Sequence, residues 1–277
     1  MEPDSSRLLT PADLEALRSS HDDLRIVDVA APERFVGAHI PGSLLVTPTE
    51  LVHGAPPAPG ELPEPARLAD LLQRLDLRPE TLVVAADDEG GGWAGRLLWT
   101  LEVLGHRNWA YLDGGVRAWQ ADGHELVAGP PADDGSTPIE AAPTLDLSHV
   151  ARREEVEAAL ADPQVQIWDA RSHEEYTGER VNAARGGHIP GARNLDWLEL
   201  MDPARELRLH RDVAERIAGA GIDLSRPIIT HCQSHHRSGL SWLVARLLGA
   251  GDVRAYPGSW SEWGNRADTP VTTGPQP

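Results

Sequence analysis

Short runs of β-branched and aliphatic residues punctuate the chain, and between them lie polar stretches in which apolar residues return every three or four positions. Ile26-Val27, Val83-Val84, Ile167-Trp168 and Ile228-Ile229-Thr230 read as short buried strands. Leu68, Leu71, Leu72 and Leu75 share one helical face before the strand at Val83, and Val213 and Ile217 do the same before Ile228. After those strands, Leu97, Leu98, Leu101 and Leu104 line a helix that is matched later by Leu240, Leu243, Val244, Leu247 and Leu248. Both helices are expected to end near a glycine, Gly105 or Gly249, because a glycine accepts the left-handed conformation that closes a helix. Strands and helices alternating in this way predict an α/β fold built on a small, mostly parallel sheet flanked by helices.

The pattern occurs twice. Ile26–Gly42 reads IVDVAAPERFVGAHIPG, and Ile167–Gly191 reads IWDARSHEEYTGERVNAARGGHIPG, so that Asp28 answers to Asp169 and His39 to His188. Further on, Val84–Trp119 lies over Ile228–Trp263 at a constant offset of 144, pairing Asp113-Gly114-Gly115 with Pro257-Gly258-Ser259. A period this long is a duplicated domain. Proline, glycine and small residues crowd Ala128–Pro143, which places a linker at 131–143 between domains at 1–130 and 144–277. Pro56–Pro65 is expected to be a surface loop of the first domain.

The chain has 277 residues, and its 25 cationic side chains are all arginine, against 43 acidic ones, for a net charge of −18. That balance disfavours nucleic acid as a partner. The first 135 residues hold 10 arginines and 23 acids, net −13, whereas the remainder holds 15 and 20, net −5, so the second half is more hospitable to an anion. No apolar run approaches the ~20 residues of a membrane span, and the opening MEPDSSRLLT lacks a basic and apolar leader; the expected location is the cytoplasm. A lone cysteine, Cys232, forms no internal disulfide and can act only as a thiol.

The segment Pro227–Leu248, PIITHCQSHHRSGLSWLVARLL, reads as a strand, a polar loop and a helix beginning near Ser238 or Gly239. Cys232 then stands at the carboxyl end of a strand, where open α/β sheets bind ligands, and its loop runs into a helix N-terminus, which favours negative charge. His235, His236 and Arg237 act in the same direction, so the thiol is expected to ionise easily and become a nucleophile. A small buried hydrophobe is the plain alternative for a cysteine. Against it stand the five polar residues that follow, each of which would need a buried partner. His231, Cys232, His235 and His236 could also bind zinc, but adjacent histidines on a tight loop converge poorly on one tetrahedral centre and the positive helix end repels a dication. No metal and no cofactor are therefore expected, and His231 is read as a hydrogen-bonding residue of the strand.

The paired Asp-x-[AR]…His-Ile-Pro-Gly stretches, the strand-Cys-loop-Arg-helix unit and the closing Gly258-Ser259-Trp260-Ser261-Glu262-Trp263 resemble the rhodanese family in its tandem two-domain form, over nearly the whole chain. The loop Cys232-Gln233-Ser234-His235-His236-Arg237 is similar to the Cys-Gln-Thr-His-His-Arg loop of bacterial thiosulfate sulfurtransferases, differing by one serine. The resemblance implies two tandem rhodanese-like domains, the second catalytic and the first inactive. At the offset of 144, Cys232 falls on Asp88 and Arg237 on Trp93, so the first copy lacks both nucleophile and cation and is read as a wall of the cleft.

The resemblance further implies a double displacement. The Cys232 thiolate takes the outer sulfur of thiosulfate, a small anionic donor, and passes it from a persulfide to cyanide or a thiol, thioredoxin and a sulfur-relay protein being protein acceptors of that kind. Gln233, Ser234, His235, His236 and Arg237 would surround the reacting sulfur. Arg171, Arg180, Arg185 and Trp197 are further candidates for donor contacts, while Asp169 and His188 are read as structural. Where some relatives carry an arginine before the aromatic residue of this segment, the chain has Glu175 before Tyr176. Relatives that prefer 3-mercaptopyruvate carry small neutral loops, and rhodanese-like phosphatases use Cys-x5-Arg; the bulky basic Cys-x4-Arg loop favours thiosulfate over both. A noncatalytic binding module remains the reading if Cys232 proves unreactive. The enzymatic reading requires a thiol with an open path to water.

Overall fold

A computed structural model describes residues 2–131 and 143–277. The first sheet comprises β1 (Leu8–Leu9), β2 (Leu24–Val29), β3 (Leu44–Val46), β4 (Leu82–Ala86) and β5 (Trp109–Leu112), in the order β1-β5-β4-β2-β3, with every pairing parallel. The helices of this half are α1 (Pro11–Ser20), α2 (Pro32–Gly37), α3 (Pro65–Leu75), α4 (Gly92–Val103) and α5 (Gly115–Ala121). The second sheet holds β6 (Gln166–Asp169), β7 (Arg193–Asn194), β10 (Ile228–His231) and β11 (Val253–Ala255), in the parallel order β11-β10-β6-β7, while β8 (Met201–Asp202) and β9 (Arg208–Leu209) form a separate antiparallel ribbon. Its helices are α6 (Arg153–Ala159), α7 (His173–Thr177), α8 (Val213–Gly219), α9 (Arg237–Leu247) and α10 (Ser259–Trp263). The expected linker, 131–143, lies outside the described residues except at its two ends.

The expected periodicities appear as packing. Leu68, Leu71 and Leu75 are the buried face of α3, and Val213 and Ile217 that of α8. Gly105 and Gly249 close α4 and α9 with φ of 83° and 82°. The duplication extends to side-chain detail: His39 stacks on Phe35 and bonds its carbonyl at 2.8 Å, as His188 stacks on Tyr176 and bonds its carbonyl at 2.9 Å. Asp169 and Arg171 form a buried ion pair beneath the second sheet edge, with the guanidinium over the Trp260 ring.

The two copies share one core. It runs from Val83 and Trp109 of the first domain through α4 and α9 to Trp242 and Ile228 of the second, and α4 lies directly on α9. Both helices are buried along almost their whole length, so neither keeps a solvent face. Gly95 meets Gly239, its own equivalent at the offset of 144, and a Cβ on Gly239 would come within 2.6 Å of the Gly92 carbonyl oxygen. Two glycines at one crossing let the helix backbones touch.

Strand pairing corrects one expectation. Ala86 of β4 lies opposite Asp28, and His231 of β10 lies opposite Asp169, so the residue in the place of Cys232 is Asp87 and not Asp88. The carbonyls agree: Asp87 accepts the N–H of Val116, and Cys232 accepts that of Trp260, which is Val116 plus 144. The strand offset is thus 145 while the helices keep 144, and the first loop is one residue longer. An ungapped alignment hides such an insertion among Gly90, Gly91 and Gly92.

Candidate active site

Cys232 follows β10 directly, and α9 begins at Arg237, slightly earlier than the sequence suggests. The Cys232 N–H donates to Ser259 Oγ at 3.3 Å and its carbonyl accepts the N–H of Trp260 at 3.0 Å, which ties the loop to α10. Burial pushes the thiol's pKa up, but Arg237, the Ser238 hydroxyl and the backbone N–H groups of Ser238 and Ser234 outweigh it, so the thiol ionises below its ordinary range.

Each residue of the loop has a distinct place. The Gln233 amide donates to Ser261 Oγ and to the Asn182 carbonyl, both at 3.1 Å. Ser234 is half-buried and gives its N–H to the sulfur. His235 adopts a left-handed φ of 53°, is fully buried and packs edge-on against Trp99. Burial, aided by Arg96 and His236, drives its pKa well below the ordinary value, so its ring is neutral at pH 7. His235 Nδ1 lies 2.8 Å from Ser238 Oγ. The same hydroxyl is among the groups that favour the Cys232 thiolate. His236 caps α9 among Trp93, Trp197 and Glu89. Arg237 is bound by both oxygens of Glu175, at 2.6 and 3.0 Å.

Glu175 is a site residue that sequence reasoning registered only as a departure. Burial would raise its pKa, but Arg237, with Asn182 and the Ser172 N–H, brings it down to about 2, so it is a permanent anion. The legible signal was the capping box Ser172-x-x-Glu175, which fixes the carboxylate at the start of α7, where it accepts the Ser172 N–H. Arg96 was also missed. It comes from α4 of the first domain, stacks on Trp99, and donates to the carbonyls of Gly60 and Leu51 at 2.7 and 2.5 Å. Complete burial pulls its pKa down to about 9.

The candidates outside the loop fare differently. Arg171 is locked onto Asp169 and the Gly187 carbonyl, Arg185 holds Thr269 and the Trp263 carbonyl, and Arg180 is exposed. Trp197 is half-buried and lies against His236. The structure therefore gathers Trp197 with the loop and leaves Arg171 and Arg185 engaged in the fold. Among the described residues, no three His, Cys, Asp or Glu side chains are grouped to hold a metal ion.

Two expectations are corrected. Pro56–Pro65 is not wholly a surface loop: Gly60 and Pro63 are buried, and Gly60 presses on the backbone oxygens of Ser234 and Pro257 so closely that a Cβ would collide with them. The Cys232 side chain is not open to water; its residue is 1% exposed. The same closure accounts for both, because the first domain is seated on the loop. The thiol's loop neighbours Gln233, Ser234, His236 and Arg237 are half-buried.

A rhodanese-like domain model matches residues 10–122 and again 152–266. The chain is 47% identical over 264 residues to a thiosulfate sulfurtransferase of Azotobacter vinelandii, covering 95% of this chain and 96% of that one. It is 46% identical over 265 residues to a thiosulfate sulfurtransferase of Pseudomonas aeruginosa, with the same coverage. The crystal structure of YnjE superposes with a TM-score of 0.87 over 97% of this chain and 68% of that one, at 21% identity, a likeness of fold alone.

Proposed function

The chain belongs to the rhodanese-like family through both of its domains, and we propose that it is a thiosulfate sulfurtransferase carrying the sulfur as a persulfide on Cys232. The observation that carries this reading is a cysteine at the end of a parallel strand, where the charge of Arg237, the Ser238 hydroxyl and the N–H groups of Ser238 and Ser234 favour the thiolate over the cost of burial. The Cys232 thiolate attacks the outer sulfur of thiosulfate. The donor's S–S bond breaks, sulfite leaves with its electron pair, and the persulfide retains one negative charge in the same group of donors. Cyanide or a thiol, free or on a carrier protein, then attacks the outer sulfur and Cys232 returns as thiolate.

Donor access requires the loop to part from the first domain, which is seated on it at Gly60, since the thiol is covered. Among the described residues no helix is long and apolar enough to cross a membrane. A cytoplasmic setting, where a single thiol stays reduced, suits the chemistry. Intact-mass measurement after thiosulfate treatment tests the proposal: the native chain should gain one sulfur atom that cyanide removes, and Cys232→Ala should gain none. A native chain that gains no mass, or a variant that gains as much, overturns it.

A further inference from the structure

Around His236 the two domains build a cage that the transfer described above leaves unused. The imidazole lies 4.3 Å from Trp93, 20° from parallel, and Trp197 closes a second side at 5.5 Å. Its Nε2 is hydrogen-bonded to Glu89 Oε1. Gly92 makes room, since a Cβ there would lie 2.8 Å from both of those atoms and 3.0 Å from the Trp197 ring. Glu89, Gly92 and Trp93 come from the first domain, His236 and Trp197 from the second.

Glu89 engages one ring nitrogen, and in a neutral ring that donates from Nε2 to the carboxylate, Nδ1 is the lone pair left to accept a proton. Among the described residues Nδ1 has no hydrogen-bond partner, and the side chain keeps 24% of its surface open. The ring is therefore stacked on one face, flanked by a tilted indole, held at Nε2 by a carboxylate, partly accessible, and set directly before Arg237 in the loop that holds the sulfur. A purely packing role explains the stacking but not a carboxylate lent across a domain boundary to hold Nε2.

We propose that His236 is the base that takes the proton from an acceptor thiol, and that Glu89 is its positioning residue, contributed by the domain that lacks a nucleophile. The assignment rests on Cys232 carrying a persulfide. Nδ1 takes the thiol proton; the resulting thiolate attacks the outer sulfur; the Sγ–S bond breaks with its electron pair on Cys232 Sγ. The acceptor leaves as a persulfide anion and the proton passes from His236 to water. Charge and sulfur balance without an oxidant.

The test compares two acceptors after the full-length enzyme is loaded with thiosulfate: dithiothreitol, whose thiol must lose a proton, and 4-nitrothiophenol, already ionised at neutral pH. In Glu89→Gln the loss of kcat/KM with dithiothreitol should exceed the loss with 4-nitrothiophenolate about tenfold, and in His236→Asn about a hundredfold. Equal loss with both acceptors, or no loss with either, overturns the assignment. Loading is read separately by the mass gain on Cys232. Full loading in both variants leaves the sulfurtransferase reading intact whichever way the acceptors divide, and failure of the native enzyme to load sinks that reading instead.

Discussion

At the end of β4 the Asp87 carboxylate accepts the N–H groups of Glu89, Gly90 and Gly91 at 3.2, 3.1 and 2.9 Å, and its other oxygen accepts that of Ala94 at 2.9 Å. At the end of β10 the Cys232 sulfur takes the same place in the strand and faces the N–H groups of Ser234 and Ser238. The two loops are versions of one anion cradle. In the first domain the occupant is a carboxyl group of the protein itself, so this loop does not merely lack a thiol; it is filled. Glycine permits that filling, since Gly90 and Gly91 have φ of 98° and 101° and a Cβ on Gly91 would meet Tyr111 Oη at 2.8 Å. The second loop makes its left-handed bend at His235, a bulkier residue held by burial, and leaves the cradle to the Cys232 sulfur, the nucleophile of the proposed transfer.

The sharpest way to break this comparison is to move the nucleophile. Asp87→Cys in a Cys232→Ala background puts a thiol into the first cradle, where the first helical residue is Gly92 instead of an arginine and the loop is one residue longer. Thiosulfate activity should remain at least about a thousandfold below the native enzyme, because cation and donor spacing are both absent. Mass gain and turnover approaching native levels would show that the two loops differ only in their nucleophile.

A smaller effect is expected where the copies touch. Gly95→Val drives a branched side chain into the Gly239 backbone, and the helices must separate. Overpacking of this kind costs about 2 kcal/mol or more in chemical denaturation, and the parted helices should expose Cys232 to faster alkylation by iodoacetamide. Unchanged stability and labelling would mean that the α4–α9 crossing does not hold the site closed.

The smallest effect is a pair of opposed pH slopes. Burial, together with Glu89, raises Asp87 to about 6 despite its N–H partners, whereas Arg237 holds Glu175 at about 2. A raised acid stabilises the fold fully below its unfolded value of 3.8, and that contribution fades as pH rises through about 6. A depressed one stabilises above 4.5 and is lost as pH falls toward about 2. Asp87→Asn should therefore cost most below pH 4 and less at pH 7, and Glu175→Gln the reverse, each changing by on the order of 1 kcal/mol across its window. Unfolding followed in urea from pH 3 to 8 measures both, and parallel slopes would remove the contrast.

The period of the apolar residues carried the strands, the helices and the duplication, because burial on one face imprints itself locally on a sequence. Cys232 and its loop were legible for the same reason: nucleophile, helix start and polar run are consecutive. Partners from distant segments were not. Glu175 and Glu89 reach Arg237 and His236 across 62 and 147 positions, and no local pattern encodes such a meeting. The shift of one residue between the loops was invisible too, since periodicity tolerates an insertion that hydrogen-bond register does not.

By itself, then, the order of residues determined which chemistry the chain can attempt: a thiol before a helix, repeated domains, and one copy without the nucleophile. Only tertiary packing decided how that thiol is covered, which carboxylates meet Arg237 and His236 of the loop and what fills the other cradle. Those outcomes depend on desolvation and on distances of a few ångströms between segments far apart in the chain, and both come into being only when the two copies close on each other.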